Sequence, residues 1–297
     1  MQVLLDYLLP IAIGVIMFGI GMGLKLSDFK RVFTAPKAVL FGLFGQLFLL
    51  PLIGFGIAFA FQLDPVYQLG IVLIAACPGG SSSNLVTYML KGRVALSVSI
   101  TAFNSFLIVL TIPVVLNLAF SLFWTSSQEV ELSMYDTFTE VVFTVLLPVV
   151  MGVVVQHYFP NFIAKLRKPL RYILPGILFS VFLLVIIDEQ GNGGRSAGEY
   201  WELLVPALFL NVFVMFVGFY LSGAAGINHE GKYTIAIELG LQNSALAIFL
   251  ANNVIQIDGL SLIAVLYGSF SFFSTLVIAW IMKTFMKGKS VEDLHTN

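Results

Sequence analysis

Apolar runs of about 20 residues, the length of helix that crosses a bilayer, recur along the chain with short polar punctuation between them. Nine can be marked, at residues 3–24, 36–61, 68–90, 94–123, 137–158, 170–187, 201–221, 233–253 and 260–285. The separators read as loops: 25–37 is basic, Gln62-Leu63-Asp64-Pro65 is a turn, and 188–200 is polar and rich in glycine. The third and eighth runs are interrupted. The third holds Cys77-Pro78-Gly79-Gly80-Ser81-Ser82-Ser83-Asn84 at its middle. Pro lacks an N–H and clashes with the preceding turn, and the two glycines oppose helix continuation. The eighth holds Ile237-Glu238-Leu239-Gly240-Leu241-Gln242-Asn243-Ser244-Ala245, a carboxylate and two amides where hydrocarbon is expected. Backbone freed at that depth must find partners in protein or line a wet cavity, and a carboxylate there marks a site. The plainer alternatives are a packing kink at Pro78 and a protonated Glu238 in a structural hydrogen bond.

The pattern predicts an all-α integral membrane fold of nine transmembrane helices. The third and eighth runs are five apart, an odd number, so they cross the membrane in opposite directions. Each is followed by one further run in its half of the chain. That is an inverted-topology repeat with a discontinuous helix at the corresponding place in each half, the two crossing at mid-membrane as in secondary transporters. The first half has four runs and the second five, as if the first helix of the repeat were missing.

Composition agrees. The chain of 297 residues is 59% hydrophobic and 10% charged, with a mean hydropathy of +0.97, whereas a soluble domain is about a quarter charged. A net charge of −1 gives no reason to expect nucleic acid as a partner. The single Cys77 excludes an internal disulfide, and His157, His229 and His295 form no metal cluster in sequence. The first run lacks the basic start of a cleavable signal. Basic residues set the orientation. With the loop carrying Lys25, Lys30, Arg31 and Lys37 in the cytoplasm, every other Lys and Arg falls on the same side except Arg195. The expectation is a multi-pass protein of the inner (plasma) membrane, surrounded by lipid, with the N-terminus outside and the C-terminus cytoplasmic.

Further polar residues give this frame a chemistry. Gln46 stands near the centre of the second run, with Pro51 after it. Ser97, Thr101 and Ser105 recur every four residues in the fourth run, with Asn104 beside them, as one helical stripe. That run follows the interrupted third across the short turn Lys91-Gly92-Arg93. Gly19-Ile20-Gly21-Met22-Gly23 suits close helix packing or a site lining. The fifth, sixth and seventh runs are plainer, with Pro148 and Pro206 as kinks and Asn211 isolated. The ninth, from Tyr267 to Phe273, offers an aromatic packing face or an apolar pocket. At crossing broken helices, freed carbonyls attract cations and helix N-termini attract an anionic substrate group. Hydroxyl and amide oxygens around Glu238 suit Na⁺ better than a soft transition metal, and the cation that neutralises the carboxylate can couple to substrate. Metalloprotease, paired-Asp and nucleophile–His motifs are lacking, so an enzyme is not expected.

Three motifs, Cys77-Pro-Gly-Gly-Ser-Ser-Ser-Asn-Leu-Val-Thr-Tyr, Ala95-Leu-Ser-Val-Ser-Ile-Thr and Ile237-Glu-Leu-Gly-Leu-Gln-Asn-Ser, together with 19–29, resemble the bile acid:sodium symporter family over nearly the whole chain. The resemblance implies a core domain, about 36–123 and 201–286, and a panel domain, about 3–24 and 137–187, in the nine-helix form. It implies two sodium sites. One would use Ser83, Asn84, Ser97, Thr101 and Glu238. The other would use Gln46, Gln242, Glu238 and the backbone carbonyls of Leu239 and Leu241. Substrate would lie between core and panel near Ser81, Ser82, Asn243 and Ser244. The implied activity is sodium symport of an organic anion, a bile acid or a smaller carboxylate such as pantoate or pyruvate, by alternating access in a monomer. A proton-coupled or uncoupled exporter of the same architecture is the alternative. Where some bacterial members carry a His-Asn pair on the last helix, this chain has Ser269-Phe270, a departure that bears on the substrate and not on sodium.

Overall fold

The computed structural model describes residues 2–30, 36–124, 134–191 and 197–286. Arg31, Arg195, Lys287, Lys289 and His295 lie outside them. Among the described residues every regular element is helical. The order is α1 (Gln2–Gly23), α2 (Leu26–Phe29), α3 (Pro36–Phe44, a π turn at Gly45–Leu49, then Leu50–Ala60), α4 (Pro65–Ala76), α5 (Ser81–Met89) and α6 (Val94–Phe123). Then come α7 (Met134–Val141, a π turn at Val142–Leu146, then Leu147–Tyr158), α8 (Pro160–Gly191), α9 (Ala197–Ala224), α10 (His229–Gly240), α11 (Ser244–Phe249, continued by a π turn at Leu250–Ile255) and α12 (Leu262–Phe285).

Among the described residues five helices are long and apolar enough to cross a membrane: Pro36–Ala60, Val94–Phe123, Thr137–Tyr158, Gly198–Ala224 and Leu262–Phe285. Leu9–Gly23, Pro65–Ala76, Tyr172–Leu184 and Ser244–Ile255 are apolar but shorter. Two of these short helices, α4 and α11, are short because the third and eighth runs break where Pro and Gly stand. Cys77 ends α4 in an extended conformation, and Leu241 does the same after α10 (φ −113°, ψ 106°). One boundary departs well beyond the others from the sequence reading. The basic stretch ahead of residue 170 is helical, because α8 starts at Pro160, and a proline at the first helical position has no N–H to satisfy.

The apolar faces point outward. Leu110, Val114, Leu118 and Leu122 of α6 are exposed and spaced four apart, one stripe on one face. The same helix buries Ser97, Thr101, Asn104 and Ser105. Apolar outside and polar inside is the arrangement hydrocarbon requires. α1 lies along α7 and α8, and here the glycines act as packing residues. A Cβ on Gly21 would stand 2.2 Å from Val149 O, and one on Gly152 2.4 Å from Phe18 O, so the two backbones touch. α9 packs on α10 and α12, α3 on α4, and α6 on α4, α5 and α10. The turn between α5 and α6 is tied to α10, where Tyr233 OH donates to Lys91 O at 3.0 Å and Arg93 N–H donates to Thr234 Oγ1 at 3.0 Å.

Candidate functional site at the crossing of the broken helices

The two breaks meet. Residues 77–80 run extended between α4 and α5, residues 241–243 between α10 and α11, and Gly79 and Gln242 form an antiparallel bridge. Asn243 N–H donates to Pro78 O at 2.8 Å. The freed backbone of each break is thus partly satisfied by the other, as non-helical backbone at membrane depth requires. The crossing is tight at its glycine. A Cβ on Gly79 would stand 3.0 Å from Glu238 Oε2 and 3.4 Å from both Gln46 Nε2 and Leu241 O.

Glu238 lies in the last turn of α10 and is fully buried. Its carboxylate takes hydrogen bonds from Ser97 Oγ on one oxygen and from Thr101 Oγ1, at 3.1 Å, on the other. Ser97 Oγ also lies 2.7 Å from Asn84 Oδ1. A hydroxyl has one proton, so it serves one of these two acceptors and the other oxygen is left facing oxygen. Ser83 is buried at the start of α5, and its hydroxyl donates to Gly80 O at 2.8 Å. Among the described residues no Lys or Arg pairs with Glu238, and this corner is rich in lone pairs and poor in protons.

A second polar group adjoins it. The π turn of α3 carries Gln46, whose Nε2 donates to Glu238 O at 2.5 Å and whose Oε1 accepts from Asn104 Nδ2 at 3.3 Å. Gln242 Nε2 donates to Leu239 O at 2.7 Å, and its Oε1 is buried without a hydrogen-bond partner, as is Asn104 Oδ1. The structure therefore brings Gln46, Ser83, Asn84, Ser97, Thr101, Glu238, Leu239, Leu241 and Gln242 together around one crossing.

The residues expected near a substrate lie on the α11 side of the break. Asn243 caps α11, its Oδ1 accepting from Leu246 N–H at 3.1 Å, and its Nδ2 lies 4.0 Å from Met17 Sδ of α1. Ser244 Oγ is buried without a partner. A Cβ on Gly268 of α12 would stand 3.0 Å from Ser244 Cβ and 2.4 Å from Phe182 Cζ of α8, so α8, α11 and α12 converge there. Ser82 is half-buried, and the Ser81 side chain lies outside the described ones. Ser269 is exposed and donates to Leu266 O at 2.6 Å, and Phe270 packs at a tilt on Tyr267.

Sequence reading undervalued Asn211. It is not isolated: it is fully buried, and its Nδ2 donates to Gly240 O at 2.6 Å and to Thr275 Oγ1 at 3.1 Å, while Ser274 Oγ donates to its Oδ1 at 2.7 Å. Tyr267 OH donates to the same Gly240 O at 2.8 Å. The signal in sequence was the lone amide within an apolar run, opposite a run holding Ser274 and Thr275.

An all-helical membrane protein in which two broken helices cross at a buried carboxylate has the layout of a secondary transporter. The family profile described as the Sodium Bile acid symporter family matches residues 10–192, more than half of the chain, and the chain belongs to that family. Among its relatives, the "Uncharacterized sodium-dependent transporter YocS" of Bacillus subtilis (strain 168) is 31% identical over 245 residues, 82% of this chain and 73% of its own. The "Probable sodium/metabolite cotransporter BASS2, chloroplastic" of Oryza sativa subsp. japonica is 30% identical over 246 residues, 82% of this chain and 56% of its own, so the match spans little more than half of that relative. The "Ileal sodium/bile acid cotransporter" of Homo sapiens is 28% identical over 251 residues, 83% of this chain and 69% of its own. The chain is a multi-pass membrane transporter of a sodium-coupled family, and not an enzyme.

Proposed function

We propose that this protein is a sodium symporter that carries a small organic anion inward by alternating access. The observation that carries the reading is Glu238: fully buried, with no cationic side chain paired to it among the described residues, and surrounded by more oxygens than protons. A bare carboxylate at that depth is costly, and an alkali cation with hard oxygen ligands offsets it. In this reading Ser83, Asn84, Ser97, Thr101 and Glu238 hold one sodium ion. Gln46, Glu238, Gln242 and the carbonyls of Leu239 and Leu241 hold a second, beside Gly79. Gln242 turns its free Oε1 to that ion.

The same reading takes α4–α5 and α10–α11 as the two crossing discontinuous helices of an inverted repeat, within nine spans. α1, α7 and α8 are the panel, and the remaining long helices are the core. The anion binds between them, near Ser81, Ser82, Asn243 and Ser244, and a bile acid, pantoate or pyruvate are the candidates. The unpartnered Ser244 Oγ supports that position. The protein acts as a monomer in the plasma membrane, with its N-terminus outside.

The test is uptake of taurocholate, pantoate and pyruvate into proteoliposomes under an inward sodium gradient. At least one is expected to accumulate with sodium and not with potassium. Accumulation driven equally by a proton gradient without sodium would assign the carboxylate to proton transport instead.

A further inference from the structure

We propose that Asn211 and Tyr267, which belong to neither set of cation ligands, are positioning residues that set sodium affinity by holding the Gly240 carbonyl. The inference rests on the sodium reading above. At the end of α10 the last carbonyls have no helical partner, and each has been given one from a different source. Glu238 O accepts from Gln46 and Leu239 O from Gln242. Gly240 O alone is held by two donors, the Asn211 amide at 2.6 Å and the Tyr267 hydroxyl at 2.8 Å.

Those two donors come from α9 and α12, so they fasten the break to helices that carry none of the proposed ligands. Leu241 is extended. Across an extended residue successive peptide carbonyls point to opposite sides. With Gly240 O pinned toward α9 and α12, Leu241 O must face the other way, and it does, lying 3.4 Å from where a Gly79 Cβ would stand, a point 3.0 Å from Glu238 Oε2. The amide itself is oriented in turn. Ser274 Oγ donates to Asn211 Oδ1, and Thr275 Oγ1 accepts the amide's second proton, so Nδ2 faces Gly240 O. All four side chains are buried or half-buried, and the bonds among them leave Asn211 fully satisfied. A satisfied polar network in a low-dielectric interior is rigid, and partners that orient a cation's ligands tune its affinity.

The experiment measures thermal unfolding of the purified, detergent-solubilised full chain against NaCl, at constant ionic strength with KCl. It compares wild type, Tyr267→Phe, Ser274→Ala, Asn211→Ala and Glu238→Gln. Tyr267→Phe keeps the ring and removes one donor; it is expected to raise the half-saturating sodium concentration about tenfold, with the full sodium-induced stabilisation still reached. Ser274→Ala, which lets the amide turn, is expected to shift it in the same direction by a smaller factor, and Asn211→Ala by a larger one. If Tyr267→Phe and Ser274→Ala lower the unfolding temperature equally in sodium and potassium with an unchanged half-saturation, the network is structural only and the inference is overturned. Should Asn211→Ala fail to fold, the two milder variants decide. Failure of the sodium reading looks different: wild type would show no sodium response, or Glu238→Gln would keep it.

Discussion

Glu238 and Gly79 illustrate at the residue scale how a site emerges from what each side chain can and cannot supply. The carboxylate brings charge and acceptors, the hydroxyls of Ser97 and Thr101 bring one proton each, and Asn84 brings another acceptor to Ser97. Gly79 contributes by absence, since a Cβ there would stand 3.0 Å from Glu238 Oε2 and 3.4 Å from Leu241 O. Gly79→Ala is therefore expected to keep the protein folded, because the neighbours give by a few tenths of an ångström, while a methyl group fills the proposed cation space. The half-saturating sodium concentration for thermal stabilisation should rise about tenfold or more; an unchanged value would place the second ion elsewhere.

The glycine-dependent features are spread over elements in two distinct ways. In α4–α5 and α10–α11, Pro and Gly end helices, and the crossing segments repair one another through Asn243 N–H to Pro78 O. In α1 and α7, Gly21 and Gly152 end nothing and let two helices touch backbone to backbone. Gly21→Leu puts a side chain into the Val149 carbonyl and is expected to separate α1 from α7. Overpacking of this kind costs about 1–3 kcal/mol or more. The expected result is a lower unfolding temperature in sodium and in potassium alike, with the half-saturating sodium concentration kept within about twofold. A selective loss of sodium response would instead make α1 part of the cation site.

For the whole molecule, the distribution of Lys and Arg makes a prediction about orientation. Cys77 is buried, so the native chain gives a low background for cysteine labelling. Gln62→Cys, in the turn after α3, is expected to react with a membrane-impermeant maleimide added to spheroplasts, and Lys91→Cys, in the turn after α5, only after permeabilisation. The reverse pattern would invert the topology, and labelling of both from one side would remove the span between them.

The hydrophobic pattern alone was enough to mark the membrane class, the places where two helices break and the carboxylate at one of them. Each follows from local physics: chain length against bilayer thickness, a proline without an N–H, a charge among apolar neighbours. The residues around Glu238 came from helical spacing and family likeness, and the structure gathers most of them at one point. Asn211 and the Gly240 carbonyl could not be read that way. Their meaning depends on α9 and α12 lying against the end of α10, a contact between residues far apart in sequence, and on which way one peptide plane turns. Sequence periodicity describes which face of a helix is polar; only the packed structure determines what that face meets.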